Sequence, residues 1–534
     1  MSYCDLHNIP HSLPFVNLTS LSTLDISNNG FQGIPISEFI VLLQNLRHLG
    51  LSYSSFNGMV PSSIGNLSNL HWVGVGNQTG NVVTLELRTL DFCKSFEEQE
   101  AAVSSKSCLG GTLNPSLLNL TYLNYLDLSR NNFEGNPIPE FIGSLKNLKY
   151  LDLSQASFTL MVPSSIGNLT DLQYLDLTMI SYPKKLWASD LNLLSGSIPK
   201  IPQGNLCNLR SLDIAYTYIS GEINELVESL SACNNSTLET LDLASNQLSG
   251  SLPDSLGNLI YLEYLGLSEN SLLGTLPPSI GNQSHLGALY LSFNMLTGII
   301  PENNGQLSEL YVLELYGNSW EGVITENHFQ NLTGTQVRLS DLTLRNDAIS
   351  DTIPDWFCRL LSDIWWLDLS NNQLRGVLPK SIHVGRNPWI NLGYNRLEGS
   401  FSLWSNVTNL SLRNNLLTGP IPSDIGSKMS MLNRLDLSRN LLNGSIPPSM
   451  SEMKNLSSID LSHNNLSGEI PSNWQDLELL RVIDLSNNRL SGDIPTSVCS
   501  LPSLLWLKLN HNDLSGKLSI SLRICTGLLV LDVG

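Results

Sequence analysis

Charge is scarce in this chain. Of its 534 residues only 14% are charged, where about a quarter is usual. The balance is one-sided as well, with 28 Lys and Arg against 47 Asp and Glu, for a net charge of −19. A protein that neutralises phosphates needs a basic footprint, so nucleic acid is disfavoured and not expected as a partner. Cysteine is sparse too. Cys4, Cys93, Cys108, Cys207, Cys233, Cys358, Cys499 and Cys525 are too scattered for a disulfide miniprotein and lack the close paired spacings of a zinc site. No apolar run reaches the length of a membrane span. The opening MSYCDLHNIPHSLPFVNL has neither a basic n-region nor a long apolar h-region. The nine histidines are dispersed, and no metalloprotease, nucleophile-elbow, P-loop or kinase signature occurs. No catalytic residue, metal or cofactor is expected.

What is present is a repeat. Leucine, any residue, leucine, then asparagine recurs along the chain, its first apolar residue falling at Leu24, Leu49, Leu126, Leu151, Leu175, Leu212, Leu241, Leu265, Leu289 and Leu313. It continues at Leu342, Leu367, Ile390, Leu410, Leu435, Ile459, Ile483, Leu507 and Leu531. That is about 19 repeats of 24–25 residues, a period typical of leucine-rich arrays. In LETLDLASNQLSGSLPDSLGNLIY (238–261), Leu241 and Leu243 alternate with polar residues as a half-buried strand does. Leu248, Leu252, Leu256, Leu259 and Leu262 then point inward, and Gly250, Pro253 and Gly257 bend the backbone. One such unit cannot bury its own leucines. The expected fold is therefore an α/β solenoid with a parallel sheet on its concave face.

The asparagine five residues after the first leucine is expected to pair with buried backbone groups of the next coil. Ser54, Ala156, Ile180, Thr217 and Asp347 replace it. Three of these fall between 156 and 217, where the step from Leu175 to Leu212 also lengthens to 37 residues. This stretch is expected to be the least regular, with LNLLSGSIP (191–199) as the tail of a unit whose head is missing.

The blocks LSGSLP (248–253), LTGIIP (296–301), LTGPIP (417–422), LNGSIP (442–447), LSGEIP (466–471) and LSGDIP (490–495) resemble the plant class of extracellular leucine-rich repeats. With NLCNLRSLDI (205–214), WEGVITENHFQNLT (320–333) and CTGLLVLDVG (525–534), the chain is similar to plant leucine-rich-repeat receptor-like proteins of the ethylene-inducing-xylanase-receptor type. That resemblance implies an ectodomain at the outer side of the plasma membrane. It would bind an extracellular protein or peptide and signal through a partner receptor kinase, in defence. A secreted inhibitor of a microbial cell-wall-degrading enzyme and a non-functional rearranged copy are the alternatives.

The chain departs from the family plan. It opens inside a repeat, it ends on a repeat strand, and HWVGVGNQTGNVVTLELRTL (71–90) resembles the end of an N-terminal cap placed after repeats rather than before them. The expected organisation is an array end piece over 1–70, a cap remnant with an irregular loop over 71–113, and an array over 114–534. The loop from Asp91 to Leu113 is expected to be the longest insertion. The chain reads as a truncated or rearranged member.

Strand residues flanking the leucines point to the concave face. Aspartate often stands between the two leucines, at Asp127, Asp152, Asp176, Asp213, Asp242, Asp368, Asp436, Asp460, Asp484 and Asp532. This stripe reads either as consensus strand chemistry on a solvated face or as steering for basic partners. Aromatics outside the consensus are the candidate ligand contacts: Tyr264, Tyr290, Phe293, Tyr311, Tyr316, Trp365, Trp366, Trp389 and Tyr394. Tyr125, Tyr150 and Tyr174 form an earlier column, and packing between stacked rings is the alternative for both groups. Glycosylation acceptors of the N-x-[ST] form stand at Asn17, Asn66, Asn77, Asn119, Asn168, Asn234, Asn235, Asn282, Asn331, Asn406, Asn409, Asn443, Asn455 and Asn465. Cys207 and Cys233, and likewise Cys499 and Cys525, lie 26 residues apart, about one coil, which places each pair as a candidate disulfide.

Overall fold

The described leucine–any–leucine segments form strands of three residues, and these strands pair in parallel, leucine or isoleucine opposite its counterpart. The computed structural model describes residues 21–29, 31, 35–36, 43, 46–54, 56–68, 83–89, 108–159, 161–178, 196–198, 201–202, 205–233, 236–302, 306–329, 339–345, 348–350, 352–353, 361–380, 382, 384–385, 388–515 and 527–534. The chain divides into two units, Met1–Gln283 and Ser284–Gly534.

In the first unit the ladder runs Thr23–Asp25, His48–Gly50, Thr84–Glu86, Tyr125–Asp127, Tyr150–Asp152, Tyr174–Asp176, Ser211–Asp213, Thr240–Asp242 and Tyr264–Gly266. Leu24, Leu49, Leu85, Leu126, Leu151, Leu175, Leu212, Leu241 and Leu265 form its buried spine. In the second unit it runs Ala288–Tyr290, Val312–Glu314, Asp341–Thr343, Trp366–Asp368, Trp389–Asn391, Asn409–Ser411, Arg434–Asp436, Ser458–Asp460, Val482–Asp484, Trp506–Lys508 and Val530–Asp532. Both units are leucine-rich solenoids, each coil closing over a core its neighbours complete. The 238–262 coil behaves as its pattern dictates: Leu241, Leu243, Leu248, Leu252, Leu256, Leu259 and Leu262 are all buried. A 3-10 turn over Asp254–Asn258 carries the chain back.

The irregular stretches share one form. After the strand Tyr174–Asp176, the segment Gly196–Ser197 pairs with Ile219–Ser220 of the following coil. So 191–199 is not the tail of a headless unit. Its head is Tyr174–Asp176, and the extra residues fall between the two strands of a single coil. The first-unit ladder passes from Leu175 to Leu212 without a missing rung. Residues 179–195 themselves lie outside the described set, and so does Ile180.

The segment 83–89 follows the same rule. Thr84–Glu86 is a regular rung between His48–Gly50 and Tyr125–Asp127, and Leu109–Gly110 pairs with Gly58–Met59 of the coil before. Leu85–Glu86–Leu87 is thus the head of a further repeat, and its second strand follows after residues 90–107. Those residues, which hold most of the expected loop and Cys93, lie outside the described set; Cys108 is disulfide-bonded. The ladder crosses the expected boundaries at 70 and 113 in register.

The asparagine ladder is built as expected, with one change of direction: its bonds to a neighbour go to the preceding coil. The Asn246 amide donates to Ile214 O and Leu243 O at 2.9 and 3.0 Å, while its Oδ1 accepts from Thr217 N and Ile219 N. Substituted positions are only partly orphaned. The Ser54 hydroxyl donates 2.8 Å to Ile26 O of the coil before, and Thr217 donates 2.6 Å to Ile214 O of its own coil. Ala156 is buried and has no such group. Asp347 lies outside the described set.

Candidate ligand-binding faces

On the first unit, the outward residues of the ladder sort into two columns. The residue before the leucine supplies Tyr125, Tyr150 and Tyr174, whose rings stack nearly parallel at 4.0 and 4.3 Å between centroids. The residue after it supplies Asp127, Asp152, Asp176, Asp213 and Asp242. The columns are hydrogen-bonded to each other: Tyr174 Oη donates to Asp176 Oδ2 at 3.2 Å, and Tyr264 Oη donates to Asp242 Oδ2 at 3.1 Å.

The aspartates are bound by their own coils. Asp152 Oδ1 accepts from Ser154 N at 2.9 Å and from Ser154 Oγ at 2.7 Å. The same pair recurs as Asp127–Ser129, Asp436–Ser438, Asp460–Ser462 and Asp484–Ser486. This Asx-type turn gives leucine–aspartate–leucine–serine a physical reason: the carboxylate closes the bend that follows the strand. On the first unit, crowding has a cost. Burial pushes the Asp152 carboxyl up to about 7, with Asp127 and Asp176 adding to it. Burial also pushes Asp213 up to about 6 and the Tyr125 phenol up to about 12, and it raises Tyr150 and Tyr174.

The nine candidate aromatics, eight of them on the second unit, do not share one position. Tyr290, Trp366 and Trp389 stand on the strands themselves, as Tyr264 does on the first unit. Tyr311 and Trp365 precede a strand, while Phe293, Tyr316 and Tyr394 lie in the bend after one. Phe293 and Tyr394 there take positive φ values of 52° and 55°. What the structure brings together is narrower. Trp366 and Trp389 stack at 4.0 Å with 13° between their planes. Phe293 meets Tyr316 edge-on at 4.9 Å, the Arg345 guanidinium lies 5.9 Å from the Tyr316 ring, and that of Arg413 lies 5.8 Å from the Tyr394 ring. Trp365 is 62% exposed and takes part in no described ring contact.

Beside the tryptophan pair, the same face holds an open depression of about 360 Å³ between Trp389 and Trp506. Its floor is the strand run Asn409–Ser411, Arg434–Asp436, Ser458–Asp460 and Val482–Asp484. Here the aspartates face cations: Arg413 Nη1 lies 3.9 and 3.8 Å from Asp436 and Asp460, and Lys508 Nζ lies 3.6 Å from Asp484. Trp506, Arg413, Arg434 and Lys508 were not among the candidates read from sequence. The signal was there for Trp506, which precedes Leu507 as Trp366 precedes Leu367. The cations carried none, since their role depends on neighbouring coils.

Among the glycosylation acceptors, Asn119, Asn168, Asn282, Asn406, Asn443, Asn455 and Asn465 are exposed. Asn409 is half-buried on a ladder strand and lines the depression. Asn17, Asn77, Asn234, Asn235 and Asn331, and the Asn66 side chain, lie outside the described residues. Cys207 and Cys233 form a disulfide with their Cα atoms 5.4 Å apart. Cys499 does not pair. It is a free thiol buried on the short helix Thr496–Cys499, turned into the core, and Cys525 lies outside the described residues.

Comparison with known proteins places this architecture. Leucine-rich-repeat family models match residues 20–42, 45–67, 122–145, 147–169, 237–259, 261–283, 364–384, 405–466 and 479–501. The tomato (Solanum lycopersicum) receptor-like protein EIX1 is 31% identical over 235 residues, which is 36% of this chain and 22% of that protein. Receptor-like protein EIX2 from the same plant is 43% identical over 91 residues, 17% of this chain and 8% of the relative. The chain thus spans about a fifth or less of these relatives. Among solved structures, the plant peptide hormone receptor RGFR1 in complex with RGF2 superposes with a TM-score of 0.68 at 26% identity, covering 98% of this chain and 87% of the receptor. The Arabidopsis receptor kinase HAESA, in complex with the peptide hormone IDA and the co-receptor SERK1, gives 0.68 at 27% identity, covering 97% and 86%. Among the described residues, no helix is long and apolar enough to cross a membrane.

Proposed function

We propose that this chain, which belongs to the leucine-rich-repeat receptor-like proteins of plants, is a ligand-recognition ectodomain that binds an extracellular protein or peptide on its ladder face. The observation that carries the reading is the second unit's exposed aromatic surface. Trp366 and Trp389 form a stacked platform at the rim of an open depression, and Trp366 remains 40% exposed. Exposed tryptophan and tyrosine beside fixed charges is the composition of an interface hot spot. A solvated structural face has no need of it.

Signalling through a partner receptor kinase in defence, at the outer side of the plasma membrane, completes the proposal. The resemblance to receptor-like proteins supports it, as does the co-receptor seated on a structural neighbour. The binding step is tested with a displayed library of random dodecapeptides panned on the intact chain. Alanine at Tyr290, Tyr316 and Trp366 together is expected to reduce retention about tenfold, the cost of truncating one or two hot-spot side chains. Unchanged retention, with the fold intact by circular dichroism, would return these rings to a packing role.

A further inference from the structure

The depression between Trp389 and Trp506 extends along the sheet for about the length of a short extended peptide. Trp389–Asn391 and Trp506–Lys508 are the first and last of six consecutive parallel strands. Five ladder steps of about 4.8 Å separate the two indoles by roughly 24 Å along the sheet. An extended chain advances about 3.3 Å per residue, so about seven residues span the gap. Between the indoles, the column they occupy holds Asn409, Arg434, Ser458 and Val482. None of these carries a ring, so the floor lies below the two indoles.

Among the described residues, one neighbouring group braces each indole. Trp389 leans on Trp366 at 4.0 Å, and the Lys508 ammonium lies 5.9 Å from the Trp506 ring. Trp506 is nevertheless 44% exposed. A ring held in place by a neighbour and still partly exposed is pre-organised to stack a second ring or a proline.

The charges are not equivalent. Arg413 and Lys508 already face Asp436, Asp460 and Asp484 at 3.6–3.9 Å. Arg434 is exposed and makes no ion pair with any described residue. It stands two steps from Trp389 and three from Trp506, about 10 and 14 Å, or three and four residues of extended chain.

We propose that this depression binds an extended peptide carrying aromatic or proline anchors seven residues apart, one stacked on Trp389 and one on Trp506, with an acidic residue three positions from the Trp389 anchor that pairs with Arg434. The proposal rests on the peptide-binding reading above and narrows it to one site, one spacing and one charge.

The same dodecapeptide library, panned on the intact chain, tests it. Selected peptides are expected to share two ring or proline residues at a separation of seven with an acid between them. A synthetic dodecamer of that pattern should lose affinity about tenfold on W389A and again on W506A, measured by calorimetry on variants with unchanged circular dichroism. Closing the anchor spacing to four residues should have the same effect. On R434Q, only peptides that carry the acid should weaken.

Selected peptides without a fixed spacing, or binding indifferent to W389A and W506A, would overturn this site while leaving peptide recognition standing. A library that yields no binder overturns this site and peptide recognition with it, and leaves a folded protein as the ligand of the ladder face. Indole fluorescence quenched by a neutral hexasaccharide such as xylohexaose, with no peptide bound, would reassign the depression to glycans.

Discussion

Asn464 donates from its side-chain amide to the carbonyl of Leu437, 3.0 Å away and one coil earlier. The same amide reaches Leu461 O at 3.1 Å, and its Oδ1 accepts from Leu442 N at 3.0 Å. One side chain therefore closes its own bend and pins the bend before it. Leu437 and Leu442 are fully buried, so no water replaces the bonds. Asn464→Ala is expected to cost about 2–4 kcal/mol, the sum of leaving a buried carbonyl and a buried amide unpaired. Hydrogen exchange should read it locally, as faster exchange of the Leu442 amide. In a quasi-one-dimensional array the effect should fade within a coil or two.

The carboxylate of Asp152 makes the first unit sensitive to pH. Burial and the flanking Asp127 and Asp176 raise its pKa to about 7 in the fold, above its unfolded value near 3.8. Between those values the folded chain holds a proton that the unfolded chain has released. Stability from this group is therefore greatest at low pH and is lost as pH rises through about 7, with a slope of up to about 1.4 kcal/mol per pH unit. Thermal unfolding is expected to show a higher Tm at pH 5 than at pH 8. Asp152→Asn, whose Oδ1 still accepts from Ser154, should flatten that difference. An unchanged slope in the variant would place the pH response elsewhere.

Two glycines should respond to alanine for different reasons. A Cβ at Gly257 would lie 2.5 Å from the carbonyl oxygen of Ser279 in the next turn, closer than any real contact. Gly257→Ala is expected to force the stacked 3-10 turns apart and cost about 2–3 kcal/mol, as overpacking does. At Gly419 a Cβ meets nothing within 4 Å, but φ is +81°. Gly419→Ala should cost about 1–2 kcal/mol, through left-handed backbone strain alone. Urea titrations of the two variants give the order, and a Gly419 penalty equal to that of Gly257 would mean space is not the deciding factor.

Among the described residues, Cys207 and Cys233 form a constrained pair and Cys499 is a buried free thiol. Replacing Cys207 with serine removes the bond to Cys233, which tethers the segment after the helix Ile223–Ser231. A loss of about 2–4 kcal/mol is expected, read as a lower urea midpoint. Cys499, 3% exposed, should resist a thiol reagent in the native chain and react once the chain is unfolded. Rapid labelling of Cys499 under native conditions would show that its helix opens readily.

Most of the fold was legible because a leucine-rich coil is a local object. Alternation at Leu241 and Leu243, a bend at Asn246 and a return through Leu256 are properties of about 24 residues, and the array repeats them. The two insertions were not legible as such. Nothing in the residues 179–195 or 90–107 says that the strand before them and the strand after them close one coil; that appears only when Ser197 is found opposite Ser220 and Gly110 opposite Met59. The site was half legible. Tryptophan before the ladder leucine marks Trp366, Trp389 and Trp506 alike, but Tyr394 and Phe293, read with them, belong to the bends.

The coil, the buried leucine spine, the asparagine that pins each bend and the scarcity of charge all follow from the residues and spacing of one repeat. Which charges remain uncommitted depends instead on how the coils stack. Asp436, Asp460 and Asp484 face Arg413 and Lys508, whereas Asp127, Asp152 and Asp176 face one another and a stack of tyrosines. The same consensus residue lies within ion-pair distance of a cation at Asp436, Asp460 and Asp484, and its pKa is pushed up by burial and like charges at Asp152. The difference lies in what the neighbouring coils place about 4.8 Å away, a distance set by the ladder register rather than by the motif.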